Sequence, residues 1–151
     1  MRRTVSWAVC LVVILFGGIV QAQAQFSIRA ASPDPVQGWQ RMQFENSSRV
    51  VWVSPTVVIT ASDIEKAQPE TTRNGQTRIT VVFTDAGTRK IRDLSIAQRN
   101  KLVALVVDGR LIWAPYVHVE VGKESVLTGN GPNGLTREEV ERIMASLRQS
   151  H

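Results

Sequence analysis

The 151-residue chain carries 18 Lys and Arg against 13 Asp and Glu, a formal net charge of +5, and a single cysteine. So mild a basic balance gives no ground for nucleic-acid binding. One cysteine excludes an internal disulfide framework and a cysteine-built metal site.

Residues 1–24 have the three zones of a cleavable export signal. Arg2 and Arg3 form a positive n-region, Val5 to Val20 is apolar except for Ser6, and Gln21-Ala22-Gln23-Ala24 places small residues where signal peptidase reads. The apolar run is shorter than the roughly 20 residues a spanning helix needs, and Gly17-Gly18 breaks it. An uncleaved anchor is the rival reading. Thr4-Val5-Ser6 fits a twin-arginine signal poorly. Cys10 lies inside the run as a small hydrophobe, so the mature chain is expected to have no thiol chemistry. Loss of the signal takes the formal charge from +5 to +3 and leaves about 127 residues, enough for one core without staples.

Phe26 to Ala30 alternates like an entry strand. Ala31 to Ser48, with Pro33, Pro35 and Gly38, predicts an irregular excursion anchored by Trp39 and Met42. Val50–Val53 and Val57–Ile59 are short β-rich runs parted by Pro55. Ser62-Asp63-Ile64-Glu65 has the spacing of a capping box and predicts a short helix ending near Pro69. Asn74-Gly75 supplies a turn, and Arg78 to Phe83 is a strand with Ile79, Val81 and Phe83 on one face. Thr84-Asp85 opens a helix of about four turns to Asn100, with Ile91 and Leu94 inward and Arg89 and Asp93 paired outside.

Leu102–Val107, Asp108-Gly109 and Arg110–Tyr116 form a hairpin with a type I′ turn; the first arm, apolar on both faces, predicts a central strand. Ser125–Thr128 is a further strand. Gly129 to Leu135 is a glycine-rich loop, and Thr136-Arg137-Glu138-Glu139 caps a last helix bearing Val140, Ile143, Met144 and Leu147. The order predicts an α+β, two-layer domain with a mainly antiparallel sheet and three helices. Residues 25–49 are the entry strand and excursion, and 25–151 one folded unit.

Four blocks in order carry a family likeness: Val81-Val82-Phe83-Thr84-Asp85-Ala86-Gly87, Leu102 to Gly109, Ile112-Trp113-Ala114-Pro115, and Leu127-Thr128-Gly129 followed by Thr136-Arg137-Glu138-Glu139. With the upstream Val51-Trp52-Val53 through Asp63-Ile64, the chain from about residue 50 onward resembles the head subdomain of the large periplasmic domain of SecD, of the SecDF protein-export machinery. The resemblance implies an exported single-domain relative, periplasmic or secreted, working beside polypeptides. The shared residues are caps, turns and strand ends, so they speak for fold more than activity. Gly131-Pro132-Asn133-Gly134 stands where the family has a shorter link, and Trp113 where it has a small or polar residue.

Candidate sites are few. His118 and Glu120 share a strand face and suit two metal ligands, but a metal site needs three or four. No serine lies in a nucleophile elbow, and His151 is terminal. The glycine-rich loop precedes a helix as a phosphate cradle does, yet lacks the lysine and spacing of one. Arg89, Lys90, Arg92, Arg99 and Lys101 cluster around one helix as a solvated face or as a contact for anionic lipid or an acidic partner. If Ile112 and Ala114 point inward, Trp113 lies on the other sheet face as a contact hot spot or under the entry excursion.

The expectation is a non-enzymatic exported domain without cofactor, binding a polypeptide or envelope partner through Trp113, Tyr116, Trp52 and Arg110. The alternatives are a metal-dependent or hydrolytic enzyme using His118 and Glu120, and a structural envelope protein with no discrete ligand. No membrane span is expected after signal cleavage.

Overall fold

A computed structural model describes residues 25–149. The expected signal, residues 1–24, lies outside the described residues. Strand β1 (Phe26–Ser32) leads to β2 (Gln40–Gln43), β3 (Val50–Val53) and the short β4 (Ile59–Thr60). A single 3-10 turn, Ala61–Asp63, precedes β5 (Ile64–Thr71), β6 (Thr77–Phe83) and helix α1 (Asp85–Ala97). Then come β7 (Leu102–Val107), β8 (Arg110–Trp113), β9 (Glu124–Leu127) and helix α2 (Arg137–Arg148). The class is α+β and every strand pairing is antiparallel.

Two α-helices stand among the described residues where three were expected. The segment expected as a helix after Ser62 is β5. The carboxylate that caps here is Asp63, whose Oδ2 accepts the Thr60 N–H at 2.9 Å, and the turn stops after three residues. Ala67, Gln68 and Pro69 then pair with Val81, Thr80 and Ile79 of β6. One weak local signal loses to a ladder along a strong strand. Pro69 is tolerated because β5 is an edge strand.

A six-stranded sheet runs β2-β3-β1-β7-β8, with β4 pairing β1 off that path. It curls far enough for Phe44, just past β2, to form a bridge with Leu111 of β8. The expected excursion therefore contains the strand that begins the sheet. Inside the curl lie Ala31, Met42, Phe44, Val51, Val53, Leu102, Ala104, Val106, Leu111 and Ala114. The other face of β1 and β7 presents Phe26, Ile28, Leu105 and Val107 to the larger core. Strand β7 is thus central and buried on both faces, as its unbroken apolar run predicts.

The second sheet, β5-β6-β9, lays Ile79, Val81, Phe83 and Leu127 on the larger core, joined by Ile91 and Leu94 of α1 and Ile143 and Leu147 of α2. The β7–β8 turn has φ of 52° at Asp108 and 74° at Gly109, the left-handed pair that a type I′ turn requires. Thr84 caps α1 through Gly87 N–H at 3.0 Å, and Thr136 and Glu139 cap α2 reciprocally. Gly87 meets the turn so closely that a Cβ there would lie 2.3 Å from the Asp63 carbonyl oxygen. Glycine in the Thr84-Asp85-Ala86-Gly87 block is a packing requirement.

Asp63 ties these pieces together. Its side chain is 6% exposed, and Lys90 of α1 donates to Oδ1 at 2.8 Å. Burial pushes its pKa up, but the Lys90 ammonium and the Thr60 N–H more than offset this and hold it below its ordinary value.

Candidate functional site

The larger core is not sealed where β8, β9 and the connection after β8 meet. An apolar groove of about 270 Å³ opens there, with Ile28, Phe83, Ile91, Leu105 and Leu127 at its floor. Trp113, Pro115, Tyr116, Val117, Val119 and Val121 form one side, and Ser125 of β9 the other.

Trp113 reaches the groove through a bulge. Leu105 pairs with Trp113 but the adjacent Val106 pairs with Leu111, so Ile112 is an extra residue in β8. Simple alternation would send Trp113 away from Ile112. Instead both pack with the larger core, whereas Leu111 and Ala114 lie in the curl. Trp113 is half-buried and faces the main core, not an open outer sheet face.

The connection from Ala114 to Val121 is pinned at both ends. Val103 N–H donates to Pro115 O at 3.1 Å and Val117 N–H to Lys101 O at 2.9 Å. Val121 N–H donates to the buried Ser95 Oγ at 3.0 Å. Tyr116 is 48% and Val119 72% exposed at the rim. The His118 ring stacks on Tyr116 with centroids 6.3 Å apart and planes 21° apart.

Strand β9 forms the facing edge. Phe83 N–H donates to Lys123 O at 2.8 Å, and the register runs Val81 opposite Ser125 and Ile79 opposite Leu127. Lys123 also reaches Asp85 at 3.2 Å and Glu65 at 3.6 Å. The Asp85 hydrogen bond, then the charges of both carboxylates, raise its pKa above the ordinary lysine value.

Of the four expected contact residues, Trp113 and Tyr116 come together at the groove. Trp52 does not: between Val51 and Val53, which point into the curl, it lies on the outside of β3, paired with Ser32 and Arg41. Arg110 is exposed at the hairpin and forms an ion pair with Glu45. His118 and Glu120 part company. Glu120 pairs with Arg92 at 2.8 Å, and His118 Nδ1 lies 3.4 Å from Asn100 Oδ1. No three His, Cys, Asp or Glu among the described residues converge to hold a metal ion.

The basic cluster is likewise divided, since Lys90 serves Asp63 and Arg92 serves Glu120. The glycine-rich loop lines a second cleft of about 350 Å³, where Glu45, Glu138 and Glu139 stand beside Arg49 and Arg142. Arg142 is paired with Glu138 there and Glu45 with Arg110, so among the described residues the cleft presents no cluster of free cations to a phosphate. The sequence reading missed Val117, Val119 and Val121. Their signal was present, as the alternating neighbours of His118 and Glu120 in one run.

The family model for the SecDF P1 head subdomain matches residues 39–150. The chain belongs to this SecDF P1 head family. Two relatives are the protein translocase subunits SecD of Acidaminococcus fermentans, 27% identical over 74 residues, and of Rhodobacter capsulatus, 30% identical over 73 residues. Each alignment covers 48% of this chain but only 18% and 13% of those proteins, so the P1 head-like chain spans under a fifth of their length. Among solved structures, SecDF in a super-membrane-facing form aligns over 84% of this chain and 19% of its own, with TM-score 0.62 at 19% identity. A SecDF structure described as a membrane component that enhances protein export aligns over 84% of this chain and 63% of its own, with TM-score 0.61 at 20% identity. These structures establish the P1 head fold. No helix among the described residues is long and apolar enough to cross a membrane.

Proposed function

We propose that this P1 head-like chain is a non-enzymatic, exported binding domain that engages an extended polypeptide or a partner protein in the cell envelope. Residues 1–24 act as its export signal, and residues 25–151 work as one unit in the periplasm or outside the cell. The supporting observation is the apolar groove beneath Trp113 and Tyr116, which opens the larger core to solvent. At about 270 Å³ it falls just below the roughly 300–1,000 Å³ of typical small-molecule sites and suits a single large side chain of a longer ligand. Aromatic residues at the mouth of a desolvated pocket are where binding energy concentrates. The SecD relatives are named as protein translocase subunits, which makes a polypeptide the fitting class of ligand.

The test is fluorescence anisotropy with a labelled heptapeptide that alternates threonine and leucine between terminal lysines. Binding is expected, and Trp113→Ala should weaken it at least about tenfold, as loss of a central aromatic anchor does. Absence of binding, or an unchanged affinity for Trp113→Ala, overturns the proposal.

A further inference from the structure

The groove borders a strand edge with no partner. In the second sheet β9 is terminal and pairs only with β6. The Phe83–Lys123 hydrogen bond fixes the phase of the antiparallel ladder. Lys123, Ser125 and Leu127 turn their backbone groups toward β6, so the N–H and C=O of Glu124 and Val126 point the other way. Nothing among the described residues bonds to those outward groups. The opposite side of the groove is similar: the backbone of His118, Val119 and Glu120 makes no hydrogen bond with the described fold. An apolar pocket for one side chain thus lies beside a row of unpaired main-chain donors and acceptors. Ser125 and Leu127 share the groove face of β9, so a strand laid along this edge would drop alternate side chains toward Trp113.

We infer that the outer edge of β9 is a strand-addition site. An extended polypeptide pairs with Glu124 and Val126 while placing a large apolar side chain in the groove under Trp113. This rests on the polypeptide-binding reading above and specifies how that binding is made. Main-chain hydrogen bonds supply affinity for any sequence, and the pocket selects an apolar residue in alternate positions. A small molecule would leave the edge unused.

The experiment compares three forms of the same heptapeptide: unmodified, N-methylated on its leucines, and N-methylated on its threonines. Residues paired across a ladder share a face, so antiparallel addition places leucines in the groove with their N–H groups turned away from β9. Threonine methylation then weakens binding at least about tenfold and leucine methylation leaves it unchanged. Parallel addition reverses the two. Either asymmetry supports the inference, and an equal response to both methylations overturns it while leaving polypeptide binding in place. No binding of the unmodified peptide takes down both proposals. As a second arm, Val126→Pro removes an outward N–H without breaking a bond to β6. It is expected to cost binding at least about tenfold with little change in melting temperature. A concentration-dependent dimer in sedimentation that Val126→Pro dissolves, with no displacement by the peptide, would assign the edge to a second copy and overturn the inference.

Discussion

The outer edges of β8 and β9 lie on either side of the same chain segment and meet solvent in opposite ways. Along β8, Phe44 bridges Leu111, Asn130 Nδ2 donates to Ile112 O at 3.0 Å, and an Arg49 guanidinium N–H donates to Ala114 O at 3.4 Å. Arg49 also lies over the Phe44 ring at 5.5 Å. Along β9, the outward backbone groups of Glu124 and Val126 meet no partner among the described residues. The far edge of the second sheet, β5, is guarded by Pro69 and the exposed Glu65, Lys66 and Glu70. Proteins suppress unwanted pairing with charges, prolines and covering groups of this sort. Of these three edges, β8 and β5 are suppressed and β9, bordering the apolar groove, is left open. That contrast separates scaffold from binding surface more sharply than residue type does.

The contrast can be broken from its closed side. Phe44→Ala removes a buried side chain that both fills the curl and closes β8, and should cost about 3–5 kcal/mol in urea unfolding, with increased self-association. Asp63→Ala, at the start of the β5 edge, leaves the Thr60 N–H and Lys90 without their acceptor and should cost about 2–3 kcal/mol at pH 7. This second effect depends on pH. The folded-state pKa of Asp63 is depressed, so its stabilisation is fully present above the ordinary value of 3.8 and is lost as pH falls through the lower folded value. Unfolding curves for the two proteins should therefore converge as pH falls from 7 to below 3.8 and through the lower folded value. Asn130→Ala frees only the Ile112 carbonyl and should cost about 1 kcal/mol. Val126→Lys on the open edge should change stability by under about 0.5 kcal/mol, because it removes no closing contact.

Much of the scaffold was legible in the sequence because it depends on local chemistry. Asp108-Gly109 dictates its turn, Thr84 and Thr136 announce their helices, and the apolar run of β7 declares a strand buried on both faces. Strand β2 was hidden because Met42 is its only buried residue and pairing with β3, not pattern, makes it a strand. The Ser62–Glu65 spacing misled because Asp63 does the capping and β6 recruits Ile64–Thr71 into its ladder. The groove was half legible. Trp113 and Tyr116 stood out as aromatics, but the bulge at Ile112 has no glycine to mark it and it reversed the face assigned to Trp113. The open edge of β9 was beyond reach, since it is defined by which strands do not pair with it.

The pairing of β1 with β7 carries one more consequence. Ser27 and Val106 meet across 79 positions of sequence, and β1 is in the middle of its sheet. Neither core can close until β7 is at hand, because β7 supplies residues to both. Such non-local wiring slows collapse into the native topology, in the way that high contact order does generally. A chain emerging amino end first could pair β1 with β3 and β4 early, but the β7 side of β1 would stay unpaired until about two-thirds of its length had emerged.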